Sequence, residues 1–233
     1  MPMKVPRLAL QARGKPGANA ELQCALHVRE TQRMGIFVVD FLRLPAFTSD
    51  GRVHVVVEAP RYARVKFKFS PALQVFELSR ELMVGLSYPY DWGFVPSTCA
   101  EDGDPLDGLI MHEAMTFPGI VIPCRAIGVL EVQQTENAKT VRNDRVIFVP
   151  DDRLKQPLLD DVKDIKPETR REFETFFCAA VKNTGKELKF LGWRGAKHAL
   201  ATVNRSVKQF AAQERSQAAK DKSTPGEDRV GRK

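Results

Sequence analysis

The chain has 233 residues, 43% of them hydrophobic and 28% charged, which fits one domain with a sizeable core plus extensions. No stretch approaches the roughly 18 uninterrupted apolar residues of a membrane span. The cysteines Cys24, Cys99, Cys124 and Cys178 are scattered without a C-x-x-C pair, which argues for reduced thiols and against a zinc ribbon or a disulfide framework. The formal charge of +7 is segregated: residues 1–50 carry seven Lys/Arg and four Asp/Glu, residues 205–233 carry eight and four, and residues 51–204 carry 21 of each. Such segregation points to targeting or to an acidic partner, although Lys-rich flanks also serve solubility.

In chain order, the first twenty residues bring Lys4, Arg7, Arg13 and Lys15, with no acid before Glu21. This suits a mitochondrial presequence, while Pro2, Pro6, Pro16 and the lack of Ser speak for the cytoplasmic alternative. The apolar run Gly35 to Leu42 predicts an extra strand ahead of the main domain. Val53 to Val57, Val65 to Phe69 and Leu73 to Leu78 predict short strands, followed by Ile120 to Val132, bent near Pro123, and Arg145 to Val149. After Pro150 the periodicity changes. Pro167 opens a helix carrying Phe173, Phe176, Phe177, Ala180 and Val181, which Gly185 stops; Ala196, Leu200, Val203, Val207 and Phe210 mark a second helix. Strands followed by helices define an α+β layout. The predicted units are an extension over 1–50 (presequence plus one extra strand), a domain over 51–204, and a basic tail over 205–233. That tail is too polar to fold alone and is expected to be disordered or ordered by a partner.

The sharpest motif is Asp102-Gly103-Asp104-Pro105-Leu106-Asp107. Three carboxylates beside a Gly/Pro turn suit Mg²⁺, which takes hard oxygen ligands, but by itself the pattern is more often a surface Asx-turn. Its context includes Glu58-Ala59-Pro60-Arg61-Tyr62, Lys66, Arg80 and Tyr88-Pro89-Tyr90-Asp91-Trp92-Gly93-Phe94 upstream. Downstream stand Phe117-Pro118-Gly119, Cys124 to Leu130, Val149-Pro150, Phe176-Phe177 and Gly192-Trp193. In order and spacing this series, from about residue 53 to 193, resembles the soluble family I inorganic pyrophosphatases. The resemblance implies a five-stranded barrel of OB type flanked by two helices, and Mg²⁺-dependent hydrolysis of pyrophosphate to phosphate. It further implies that Asp102, Asp104 and Asp107 hold metal, with Asp104 near the attacking water and Glu58 supporting them from outside. Lys66, Arg80 and Arg145 would grip phosphate, and Tyr88 would hydrogen-bond nearby.

Several positions depart from the family pattern. Lys68 stands where a Glu is usual and Trp92 replaces a tyrosine. Gln134 and Asn143 fall where two metal-binding aspartates belong, with Arg145 in place of a lysine; a longer segment here leaves Glu136 or Asp144 as substitutes. Ala180 and Val181 replace a Tyr-Lys pair, with Lys182 one position late. Four of seven expected carboxylates remain, two are neutral and one is Lys68, so the acidic sum moves from −7 to −3. Weakened Mg²⁺ binding is the expectation. Two readings result: a slow pyrophosphatase, and a non-catalytic relative serving a mitochondrial RNA–protein complex, such as the ribosome or its assembly machinery, through basic extensions.

Overall fold

In a computed structural model, residues 39–151 and 159–223 are described, with side chains to residue 219. Nine strands and two α-helices occur among them: β1 (Val53–Ala59), β2 (Val65–Ser70), β3 (Val75–Glu81), β4 (Asp91–Val95), β5 (Leu106–Ile110), β6 (Val121–Glu136), β7 (Lys139–Arg142), β8 (Arg145–Pro150), α1 (Pro167–Val181), β9 (Lys186–Gly195) and α2 (Ala196–Ser223). Strands β1, β4, β5, β8 and β6 are hydrogen-bonded in that order, and β6 returns to β1, so five strands close a ring. Within the ring only β5 and β8 run parallel. The fold is therefore α+β, with the predicted five-stranded barrel and two helices.

The long β6 makes closure possible. Its first part pairs with β1 and β8, a register shift between Ala126 and Gly128 bends it, and its second part pairs with β9 and β7. A bulge of this kind increases local twist and lets one strand serve two sheets. Strand β1 reads as a nearly unbroken apolar run because both of its faces are covered. Val53, Val55 and Val57 pack with Leu106, Ile110, Val129, Val146 and Phe148, whereas Val56 joins Phe69 and Phe94 on the other side. The interval between β1 and β4 is too tight for a side chain at Gly93, where a Cβ would lie 1.8 Å from the Val56 carbonyl oxygen. Helix α1 lays Phe173, Phe176 and Phe177 over a second cluster containing Leu109, Leu130, Ile147 and Val149.

Several expectations change. Gly35 to Leu42 was expected as a strand; its first residues lie outside the described ones, and Phe41–Arg43 is a 3-10 turn capped by the Asp40 side chain. The turn presents Phe41 edge-on to Phe69 and Phe76, with centroids 5.4 and 5.3 Å away, so packing against the β2–β3 hairpin overrides the β-propensity. Residues from Phe41 to Phe47 thus pack on the body ahead of the expected boundary at 50. Helix α2 continues to Ser223, through a stretch expected to lack order of its own, and Glu214 pairs with Arg43 at 3.0 Å. Leu73 lies in the turn before β3, and β4, β5, β7 and β9 had no predicted counterpart. Among the described cysteines, Cys99 and Cys124 are buried thiols and Cys178 is exposed. No described helix is long and apolar enough to cross a membrane.

Candidate active site

At one end of the barrel a cavity of about 350 Å³ opens between the β2–β3 hairpin, the ring and α1. The hairpin supplies Lys66, Lys68 and Arg80, brought together by antiparallel pairing that sets Lys66 opposite Arg80. The turn before β4 and β4 itself bring Tyr88 and Trp92. The loop into β5 brings Asp102 and Asp104, and β5 brings Asp107; β6, the loop before β8 and β8 contribute Gln134, Asn143 and Arg145. Ala180 and Val181 line the far wall at the end of α1. The pocket also takes in Ser79, Phe176, Phe177, Thr184 and Lys186, none of which was singled out as a site residue. Lys186 opens β9 and reaches the pocket because β9 pairs along β6, so only the sheet register reveals it. Lys182 is not among the lining residues.

Burial sets the electrostatics. Asp107 is pushed up to about 6 by desolvation, with Arg145 and Lys66 pulling it back and Asp102 and Asp104 pushing further. Burial likewise raises Asp102. Glu58 lies behind the cavity, accepts the Phe69 N–H at 3.0 Å, and is pushed by burial up to about 7 despite that bond. Burial also raises the Tyr88 phenol, which keeps it protonated and able to donate. Arg145 is 5% exposed; its guanidinium donates to the Asn143 backbone and side-chain oxygens and lies 4.9 Å from the Phe177 centroid and 5.7 Å from that of Trp92. Burial lowers its pKa while Asp107 and Asp102 raise it, and its Nε–H has no hydrogen-bond partner. A buried, partly unsatisfied guanidinium facing carboxylates is suited to an anionic ligand.

The two amides sit beside the aspartates. Asn143 Nδ2 donates to Asp102 Oδ2 at 2.9 Å and lies 3.4 Å from Gln134 Oε1. Lys68 Nζ is 3.5 Å from Asp104 Oδ1, both side chains being more than half exposed, so this pair is weak and easily exchanged for a ligand contact. Neither proposed substitute enters the cavity. Asp144 accepts the Val132 N–H at 2.9 Å and is held by Arg142, while Glu136 pairs with Lys186 at 3.1 Å. Arg80 turns its Nη2 to the Ala180 carbonyl, in a last turn of α1 that carries no basic residue of its own.

The donor set bears on Mg²⁺ directly. Asp102, Asp104 and Asp107 supply hard oxygen atoms, and Mg²⁺ commonly uses one or two protein carboxylates, substrate phosphates and water. That much fits one ion. Among the described residues no group of three His, Cys, Asp or Glu is assembled as a metal site, and Asn143 donates its amide to Asp102.

The ring-closed barrel thus carries carboxylates and cations facing one another in one cavity. Comparison with known proteins specifies the class. The family model for inorganic pyrophosphatase matches residues 55–211. The inorganic pyrophosphatase of Nostoc sp. is 35% identical over 172 residues, covering 74% of this chain and 99% of the relative, and that of Thermus thermophilus is 37% identical over 162 residues, covering 68% and 90%. The crystal structure of the Thermus thermophilus inorganic pyrophosphatase superposes with a TM-score of 0.68 at 32% identity, covering 74% of this chain and 99% of that one. The chain belongs to the inorganic pyrophosphatase family.

Proposed function

We propose that the cavity binds pyrophosphate and hydrolyses it with Mg²⁺ slowly, at weakened metal affinity. The observation that carries this reading is the meeting of Asp102, Asp104, Asp107, Lys66, Arg80, Arg145 and Tyr88 in one cavity with the neutral amides Gln134 and Asn143, which stand where the family pattern has aspartates. Asp102, Asp104 and Asp107 would hold magnesium, with Glu58 supporting them from behind. When bound, magnesium supplies charge neutralisation and a more acidic water. The chain's own groups do the rest: Lys66, Arg80 and Arg145 bind and orient phosphate oxygens, Tyr88 donates a hydrogen bond to them, and Asp104 positions the attacking water and accepts its proton. Lys68, Trp92, Ala180 and Val181 leave the cavity more cationic and more apolar than the family pattern.

A second reading is a non-catalytic subunit of a mitochondrial RNA–protein complex: its non-catalytic part is favoured by the Asn143–Asp102 hydrogen bond, which satisfies an aspartate without a metal, and its partner by the basic flanks of the chain. Phosphate release at increasing Mg²⁺ distinguishes the two. Slow turnover that needs unusually high Mg²⁺ and vanishes in Asp104→Asn supports the first, and none at any Mg²⁺ supports the second. Full turnover at ordinary Mg²⁺, lost in Asp104→Asn, would overturn both. The triple variant Lys68→Glu, Gln134→Asp, Asn143→Asp is expected to tighten Mg²⁺ binding measured by calorimetry, with coupled effects because the groups share metal.

A further inference from the structure

Helix α2 packs across β6 and β9 through Ala199, Thr202, Val203 and Ser206, all 3% exposed or less. The opposite face is exposed and basic. Lys197, Lys208 and Arg215 are separated by 11 and 7 residues, three turns and two, and so lie in one line, with Arg205 one turn before Lys208. The line runs roughly 27 Å along the helix at about 1.5 Å per residue. None of these four is paired with a carboxylate among the described residues. Over residues 196–223 there are six Lys/Arg against two acids, Glu214 and Asp221. Glu214 falls on a flank of the helix away from the line and is engaged by Arg43. A helix face adapted only to water mixes its signs.

We infer that this outer face of α2 is a docking surface for the phosphate backbone of a duplex nucleic acid, read without regard to sequence. The small side chains Ala201 and Ala212 leave a shallow depression beside Asn204, Arg205 and Lys208, so a backbone can approach the helix closely. A straight row of cations on a rigid rod matches a rigid row of phosphates, and each contact releases counterions. Single strands are gripped chiefly by aromatic platforms, and no outward residue among these is aromatic. Insertion into a lipid surface requires several large apolar side chains beside the cations, and among the described residues of α2 only Leu200, 42% exposed, is large, apolar and exposed. None of these four cations lines the pocket, so the inference stands whether or not the pocket turns over.

The test is fluorescence anisotropy of the full chain with a short labelled RNA duplex of mixed sequence. With four phosphates contacted, affinity should fall roughly 100-fold between about 50 and about 200 mM salt. Lys208→Gln with Arg215→Gln should reduce that loss to roughly 10-fold, because two released counterions disappear. Lys139→Gln with Lys189→Gln, exposed positions on β7 and β9, should leave it unchanged. No binding at the lower salt, an equal loss in the β7/β9 pair, or binding to phosphatidylserine vesicles that exceeds binding to the duplex would each overturn the proposal. Circular dichroism of each variant confirms that α2 remains helical.

Discussion

Asp91 shows how one side chain can tie several segments together. It is fully buried and accepts the Arg61 N–H at 2.7 Å, the Thr116 hydroxyl at 2.6 Å and a His112 Nε2 contact at 2.8 Å, so it joins the loop after β1, β4 and the loop after β5. Burial alone would raise its pKa, but the bonds from His112, Thr116 and Arg61 outweigh burial and hold it below the ordinary 3.8. A carboxylate depressed in the folded state contributes stability that is complete above its unfolded value and lost as the pH falls through its lower folded value. Asp91→Asn is therefore expected to cost about 2 kcal/mol in urea unfolding at neutral pH. The gap between variant and wild type should narrow as the pH drops below about 4. A gap that stays constant down to about pH 3 would mean that folding does not depress the Asp91 pKa. The motif around residues 88–94 drew attention to this region, but Thr116 and His112 are more than 20 residues away, and nothing local in the sequence announces the bond.

At the scale of elements, the end of α1 and the β2–β3 hairpin depend on each other. The last turn of a helix leaves carbonyls without partners, and here Arg80 serves the Ala180 carbonyl from another element. Arg80 is thus shared between capping α1 and facing the cavity. Arg80→Ala is expected to lower stability by about 1 kcal/mol in chemical denaturation as well as weakening pyrophosphate binding. A loss of binding with unchanged stability would assign Arg80 to the ligand alone. Strand detection followed the same physics. β1, β2, β3, β6 and β8 are rich in β-branched or aromatic residues and were legible, whereas β4 and β5 contain Asp and Gly in five-residue strands and form because neighbours on both sides pair with them. β9 does alternate, with Leu188 and Phe190 facing the core cluster, a signal the sequence reading left unused.

At the scale of the molecule, the basic charge divides between the start of the chain and the long helix at its other end. Residues 1–38 lie outside the described structure, so the address rests on sequence: four cations and no acid in the first twenty residues. Residues 1–35 fused to a fluorescent reporter are expected to carry it to mitochondria. A reporter that stays in the cytosol would remove the organellar reading of the second function while leaving the pocket and the helix face untouched.

The sequence by itself determined the α+β class, the two helices, the family and part of the cavity lining, including Lys66, Arg80, Tyr88, Asp102, Asp104, Asp107 and Arg145, because a site assembled from a long ordered series of motifs leaves its spacing in the chain. Tertiary structure decided what those residues do to one another. Whether Glu136 or Asp144 could replace the missing aspartates depended on the pairing of β6 with β7 and β9, which commits Glu136 to Lys186 and leaves Asp144 with Arg142 and the Val132 N–H. The reach of Lys186 into the cavity, the Asn143–Asp102 bond and the straight basic face of α2 likewise arise from register and helical phase. Those depend on packing between segments far apart in sequence, and a one-residue slip in register would turn each side chain the other way.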